Sequence, residues 1–249
     1  MGLLCALGCP RVALAQATGQ LWGDLTIDWL TTERLTYEVE LQPQTQRIVH
    51  DGQPTFIAFD ATPRAEYTVA KWIDVVGEAE IGRTIQSNDV DTTTVTPRVG
   101  SELHILSRIL QPRSAGRGAG REKLPLRRLV ASTLLRLENE STFFSTDAST
   151  KSSWQLRDRF GVTYPLNRPK TTVDGAIYLA SDGELFFPMG DASNDGLVNQ
   201  VRVRTGFGYR RSFAWRFETL YVWIAKRDEQ SGVLSVQHHA LDIRARREF

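Results

Sequence analysis

Apolar and polar residues alternate with a period of two along most of this chain. In the first such segment, Leu21, Leu25 and Trp29 share one face, and Asp24 and Asp28 share the other. Alternation of this kind predicts β-strands with one apolar and one polar face. Eleven segments show the pattern, at 21–29, 35–42, 57–67, 74–81, 94–105, 128–140, 154–164, 172–181, 200–210, 215–223 and 241–249.

The lengths of the segments and of their connections indicate a membrane barrel. Strands of soluble proteins have ~5–6 residues, whereas a tilted strand that crosses a bilayer needs ~9–11. Tight connections at 31–34, 68–71, 167–170 and 211–214 alternate with longer polar ones at 86–91, 139–152 and 182–195, as in outer-membrane barrels. Aromatic residues near the predicted strand ends fit interfacial girdles: Trp22, Trp29, Trp72, Trp154, Tyr164, Tyr209, Trp215 and Trp223.

The number of segments affects the predicted topology. Bacterial single-chain barrels have an even number of strands. We therefore predict an all-β, closed antiparallel up-and-down transmembrane barrel of about 12 strands, with 10 as the alternative. A twelfth strand would lie in the basic, glycine-containing segment 106–125. Counting back from a periplasmic C-terminus places the tight turns on the periplasmic side and starts the first strand outside.

The N-terminal residues resemble an export signal. Leu3 to Leu14 is mostly small and apolar, and Ala13-Leu14-Ala15 has the small-x-small form of a cleavage site. We predict a signal peptide at 1–15, with a truncated start because no lysine or arginine precedes the apolar run, and a single barrel domain at 16–249. Cleavage removes both cysteines, Cys5 and Cys9, so the mature chain makes neither a disulfide nor a thiolate metal site.

Composition narrows the function classes. Hydrophobic residues make up 41% of the chain, but none of its apolar runs reaches the ~18 residues of a membrane helix. The 30 basic residues balance 29 acidic ones, which argues against a nucleic-acid partner.

The polar faces of the predicted strands carry charges of both signs that would point into the barrel. The first strands contribute mainly acids and the last mainly arginines, so the two rows can meet where a closed barrel joins its first and last strands. The predicted lumen-lining residues, as a pore wall or a salt-bridge ladder, are Glu38, Glu40, Arg64, Glu66, Glu78, Glu80, Arg98, Glu102, Arg136, Glu138, Arg157, Arg159, Arg202, Arg204, Arg216, Glu218, Arg244 and Arg246.

Three functions are compatible with such an interior. The first is structural, with Arg–Glu ladders that fill the lumen and satisfy one another. The second is a narrow, anion-preferring channel with an arginine wall. The third is a lipid-modifying barrel enzyme, for which His104, beside Glu102, could act with Ser132 on the next strand. We predict no enzyme, no cofactor and no metal. A soluble periplasmic β-sandwich is the alternative to the membrane barrel.

Several stretches are similar to a known family. They are Gln20-Leu21-Trp22, the strand from Glu38 to Pro43, the run Arg202-Val203-Arg204-Thr205-Gly206-Phe207-Gly208-Tyr209-Arg210, and the closing strand. The chain resembles proteins labelled domain of unknown function 2490. The resemblance implies an outer-membrane barrel of ten to twelve strands, with neither an established activity nor catalytic residues.

The last strand bears on localisation. Leu241, Ile243, Ala245 and Phe249 form its apolar row, which Arg247 interrupts near the end. A terminal aromatic residue on an alternating strand resembles the signal read by the outer-membrane assembly machinery. We therefore predict the outer membrane of a Gram-negative cell as the location, with its lipid, its lipopolysaccharide and the assembly machinery as partners. The sequence leaves the oligomeric state open.

Overall fold

The computed structural model describes residues 18–48, 55–88, 90–105, 128–146, 149–190, 197–228 and 232–249. The predicted signal peptide and the basic segment 106–125 lie outside the described residues. The described residues form eleven strands: β1 (Thr18–Leu30), β2 (Leu35–Ile48), β3 (Phe56–Ala70), β4 (Ile73–Gln86), β5 (Thr92–His104), β6 (Val130–Phe144), β7 (Thr150–Pro165), β8 (Ala176–Met189), β9 (Gln200–Ser212), β10 (Trp215–Arg227) and β11 (Leu234–Glu248).

The strands form one sheet that closes on itself as a barrel. Consecutive strands pair antiparallel, and β1 closes the sheet by pairing parallel to β11, from Thr18 opposite His238 to Asp28 opposite Glu248. The predicted closed all-β barrel is confirmed, and a two-sheet sandwich does not describe it. The predicted twelve strands and fully antiparallel pairing are wrong for the described residues, because a parallel seam lets an odd number of strands close.

Strands β5 and β6 are direct neighbours in the sheet. β5 and β6 pair directly, from Thr92 opposite Phe144 to His104 opposite Ser132. Their hydrogen-bonding edges are therefore occupied by each other, and the barrel closes without a further strand at this place.

Two predicted loops are largely strand. The 139–152 loop shrinks to the few residues between β6 and β7, and the 182–195 loop begins only after Met189 at the end of β8. In β8 the outward row continues through Leu185 and Phe187 after Ser181 and Gly183. Those two small residues lowered the apolar contrast enough for the sequence to resemble a turn.

The barrel has two ends with different connections. The tight-turn end carries the predicted tight connections and the C-terminal Phe249. The opposite end, here called the loop end, carries Thr18 and the β8–β9 connection. Because β1 runs parallel to β11, it begins at the loop end and finishes beside the C-terminus.

Side chains are partitioned in the opposite sense to a water-soluble globule. Outward apolar residues remain exposed, for example Ile57 at 65% and Phe207 at 60%. Many inward charged residues are buried, and both Glu184 and Asp242 are 0% exposed. Charged groups are almost never fully buried in soluble proteins unless they are paired, so the interior pairing must be extensive.

Exposed aromatic residues lie at both ends of the barrel, with Trp154 at the loop end and a larger group at the tight-turn end. The larger group includes Trp29, Tyr67, Trp72 and Tyr209, which lie at the ends of β1, β3, β4 and β9. Trp22 differs from the girdle prediction, because its indole is buried inside the barrel. None of the described residues belongs to a helix long and apolar enough to cross a membrane.

Candidate functional site in the barrel interior

A ladder of alternating charges crosses five neighbouring strands. Glu38, Arg64, Glu78, Arg98 and Glu138 stand directly opposite one another on β2 to β6. The Arg98 guanidinium lies 3.4 Å from Glu78 and 3.3 Å from Glu138. Period-two alternation puts every second side chain inward, so matching registers bring acid and base rows together.

The ladder ends at a carboxylate surrounded by arginines. Arg157 Nη2 donates to both carboxylate oxygens of Glu184 at 2.8 Å. Arg204 Nη2 lies 2.8 Å and Arg202 Nη1 3.3 Å from the same group. Arg136 joins this cluster to the ladder, because it lies 3.9 Å from Glu184 and also within ion-pair distance of two ladder carboxylates.

Apolar packing fills the lumen next to this cluster. Trp22, Val222, Ile224 and Ala240 form a buried cluster on β1, β10 and β11. The Arg202 guanidinium lies over the Trp22 ring, 5.4 Å from its centroid. Ion pairs and this apolar cluster therefore occupy the middle and the loop-end half of the interior.

The seam between β1 and β11 is also joined by ion pairs. Arg246 donates to Asp28 Oδ1 at 2.9 Å and to Glu38 Oε2 at 2.7 Å. Arg244 Nε lies 3.7 Å from Asp24 Oδ2. The acids of the first strands and the arginines of the last strand therefore meet across the parallel pair.

Two adjoining cavities lie between described residues of the interior, towards the tight-turn end. The larger, here the inner cavity, has a volume of about 410 Å³, and the smaller, the rim cavity, about 280 Å³. The rim cavity reaches Leu30, Phe213 and Phe249 at the barrel mouth. Carboxylates outnumber arginines around the inner cavity: Asp24, Glu38, Glu40, Glu66, Glu102, Asp182 and Glu218 against Arg64, Arg159, Arg216, Arg244 and Arg246.

The structure places the predicted lumen residues on the inner face of their strands. They divide into the ladder, the Glu184 cluster, the seam and the inner cavity. Glu40 is different from the others, because it lines the inner cavity without an ion pair to any described residue. The inward positions are Glu38, Glu40, Arg64, Glu66, Glu78, Glu80, Arg98, Glu102, Arg136, Glu138, Arg157, Arg159, Arg202, Arg204, Arg216, Glu218, Arg244 and Arg246.

Sequence reasoning missed Asp182 and Glu184, the two acids at the centre of the arginine cluster. Both lay in the predicted 182–195 loop. Asp182 Oδ1 accepts from Arg204 Nε at 2.8 Å. The signal that could have found them is the spacing of Leu179 and Leu185, which keeps the outward row in phase and the even positions inward.

Within the described ranges, no group of three or more His, Cys, Asp or Glu side chains is arranged to hold a metal ion. His238 and His239 lie on opposite faces, since His238 contacts Thr18 in the lumen and His239 stacks on the exposed Tyr221.

The fold and the interior define a closed β-barrel with an apolar outer surface and an ion-paired lumen. The chain belongs to the family described as "Protein of unknown function (DUF2490)", whose sequence model matches residues 19–231. This range covers β2 to β10 and all of β1 except Thr18. No curated protein matches the chain.

Proposed function

We propose that the chain is an exported outer-membrane β-barrel whose lumen is closed by buried ion pairs, so that its primary role is structural. The observation that carries the membrane assignment is the inverted partition of side chains. An apolar, exposed outer row on strands of 13 to 16 residues suits contact with lipid acyl chains. Lipid and lipopolysaccharide are then its partners.

The aromatic residues support the same placement. Trp29, Tyr67, Trp72 and Tyr209 are exposed near the tight-turn end, and amphipathic rings favour the interface between lipid and water. In this placement the tight turns and Phe249 face the periplasm, and the connections of the loop end face outwards. Export through a cleaved signal at residues 1–15 and delivery by the assembly machinery belong to the same proposal.

The closed lumen is supported by the burial of Glu184 and Glu138. Both carboxylates are buried at the middle of their strands and contact arginines from neighbouring strands. An open aqueous pore would leave such groups hydrated. Buried charges that lose a partner are costly, so the network favours one closed arrangement over a wide channel.

A narrow channel is the second candidate. Arg157, Arg159, Arg202 and Arg204 form an arginine wall on β7 and β9, the arrangement that favours anions in pores. Each of the four lies within 4 Å of an acidic side chain, so anions would have to compete with fixed carboxylates. Whether the barrel conducts anions therefore depends on whether this ion-pair network opens.

Two experiments test the proposal. Membrane fractionation with gel migration before and after boiling tests the barrel. We expect recovery in the outer-membrane fraction and a heat-dependent shift, whereas a soluble periplasmic protein without a shift would overturn the assignment. Planar-bilayer recording tests the lumen. We expect no steady conductance, and conductance that changes in Arg202→Ala or Arg204→Ala would establish the anion channel instead.

A further inference from the structure

We propose that Asp74, His104 and Ser132 form a serine-hydrolase triad that acts on a small carboxylic ester, with His104 and Ser132 in the wall of the inner cavity and Asp74 buried behind His104. The three residues lie on the neighbouring strands β4, β5 and β6 and face the lumen. This inference goes beyond the structural role proposed above and does not depend on whether the lumen conducts.

The first relationship is between the acid and the base. His104 Nε2 lies 2.5 Å from Asp74 Oδ2, and the Asp74 side chain is 1% exposed. A buried carboxylate in this position fixes the orientation of an imidazole and stabilises its protonated form. When Nε2 donates its proton to Asp74, Nδ1 is left as an acceptor.

The second relationship is between the base and the nucleophile. His104 and Ser132 are direct cross-strand partners. Ile105 N donates to Ala131 O at 2.9 Å, so Ile105 and Ala131 are a hydrogen-bonded pair. The adjacent His104–Ser132 pair is then of the non-hydrogen-bonded type, whose side chains approach each other most closely, with Cα atoms ~4.5 Å apart.

The surroundings of the Ser132 hydroxyl are compatible with a role as nucleophile. Its hydroxyl makes no side-chain hydrogen bond within the described part of the chain, and both Ser132 and His104 line the inner cavity. Nucleophile–base hydrogen bonds are often long without substrate and tighten only in the complex. In the proposed triad, the Ser132 hydroxyl donates to His104 Nδ1 when a substrate is bound.

The space beside the serine can hold a substrate. Gly161 stands opposite Ser132 on β7, and a Cβ placed there would meet only Asp182, at 3.7 Å. The missing side chain leaves Ser132 open to a cavity of about 410 Å³, a size typical of small-ligand sites. Arg159, diagonal to Ser132 on β7, lines the same cavity and offers positive charge to a developing oxyanion.

The reaction that this arrangement supports is ester hydrolysis in two stages. Ser132 Oγ bonds to the carbonyl carbon while His104 Nδ1 takes the hydroxyl proton. The ester C–O bond then breaks, and the leaving alkoxide receives that proton as an alcohol. Water repeats the sequence on the acyl-serine, which releases the carboxylic acid and restores both side chains.

The test is covalent labelling of the refolded barrel by a small fluorophosphonate, followed by intact-protein and peptide mass spectrometry. We expect one adduct per chain, on Ser132, and its loss in Ser132→Ala. Ser101→Ala is the matched control, because Ser101 lies on the outer face of β5. Asp74→Asn should slow labelling at least about tenfold, and hydrolysis of p-nitrophenyl acetate should follow the same order.

Folding is checked for every variant by heat-dependent gel migration. Ser132→Cys provides a second measurement, because a small thiol reagent reports whether the position is accessible. Labelling of folded wild type that persists in Ser132→Ala would overturn the proposal. So would the absence of any adduct when the cysteine at 132 reacts readily.

Discussion

The Phe249 ring stacks on the Trp29 indole, with centroids 6.4 Å apart and planes 9° from parallel. The stack joins the last residue of the chain to the end of the first strand. The backbone reinforces it, because Phe249 N donates to Asp28 O at 3.1 Å. The terminal aromatic residue therefore belongs to the seam of the barrel as well as to the end of β11.

Deleting Phe249 is expected to reduce assembly in cells. The deletion removes both the terminal aromatic residue and the stack on Trp29. Surface-exposed folded protein in the outer membrane, measured by heat-dependent gel migration, should fall several-fold. Normal insertion of the deletion variant would contradict the prediction that the C-terminus acts as an assembly signal.

The variant Trp29→Ala distinguishes recognition of Phe249 by the assembly machinery from the ring stack between Phe249 and Trp29. It removes the same ring contact but leaves the C-terminal residue in place. If the assembly machinery reads Phe249, Trp29→Ala inserts normally in cells, and both variants refold alike in detergent. Equal assembly defects in the two variants would instead assign the effect to the seam.

Glu184→Gln is expected to destabilise the barrel strongly. It removes the charge that Arg157, Arg202 and Arg204 share, and a broken buried ion pair costs about 3–5 kcal/mol. Denaturant unfolding in detergent micelles measures the loss. Glu40→Gln is the control, because Glu40 makes no ion pair with a described residue, and it should change the unfolding free energy by about 1 kcal/mol or less.

Each of the eleven alternating segments corresponds to a strand, and the alternation predicted which side chains point inward, although several strands, β8 above all, extend further than predicted. Period-two alternation is a local property, so neighbouring residues such as Leu21 and Asp24 are enough to assign the apolar and the polar face of a strand. Whether the number of strands is odd or even was harder to predict. It depends on the parallel pairing of Thr18 with His238, two residues that lie far apart in the chain. The centre of the ion-pair network was missed for a local reason. The small outward residues Ser181 and Gly183 flank Asp182, and their composition is typical of a turn.

Gly208→Ala is expected to destabilise the barrel through Tyr178. The Tyr178 ring lies directly over Gly208, and an added Cβ would stand 2.1 Å from Tyr178 Cζ. The ring would have to move and weaken the hydrogen bond of its hydroxyl to Glu218 Oε1, which is 2.7 Å long. Overpacking of this kind costs about 1–3 kcal/mol, measurable by denaturant unfolding.

Gly183→Ala is the matched control for that substitution, because a Cβ at Gly183 meets nothing within 4 Å. A double-mutant cycle with Tyr178→Ala adds a second check. Without the ring, Gly208→Ala should cost clearly less than in the wild type. An equal cost in both backgrounds would show that the ring is not the cause.

Paired cysteines test the parallel seam directly. Leu25 stands opposite Ala245 and Leu21 opposite Leu241, each pair facing outwards. In a background with Cys5 and Cys9 replaced by serine, Leu25→Cys with Ala245→Cys and Leu21→Cys with Leu241→Cys should both oxidise to disulfides, seen as a shift on non-reducing gels.

Leu25→Cys with Leu241→Cys is the control, because four residues along a strand span ~13 Å, beyond the reach of a disulfide. Antiparallel closure allows only one of the two matched pairs, since partners then shift in opposite directions along the chain. Crosslinking of both pairs therefore requires the parallel seam and, with it, an odd number of strands in the closed barrel.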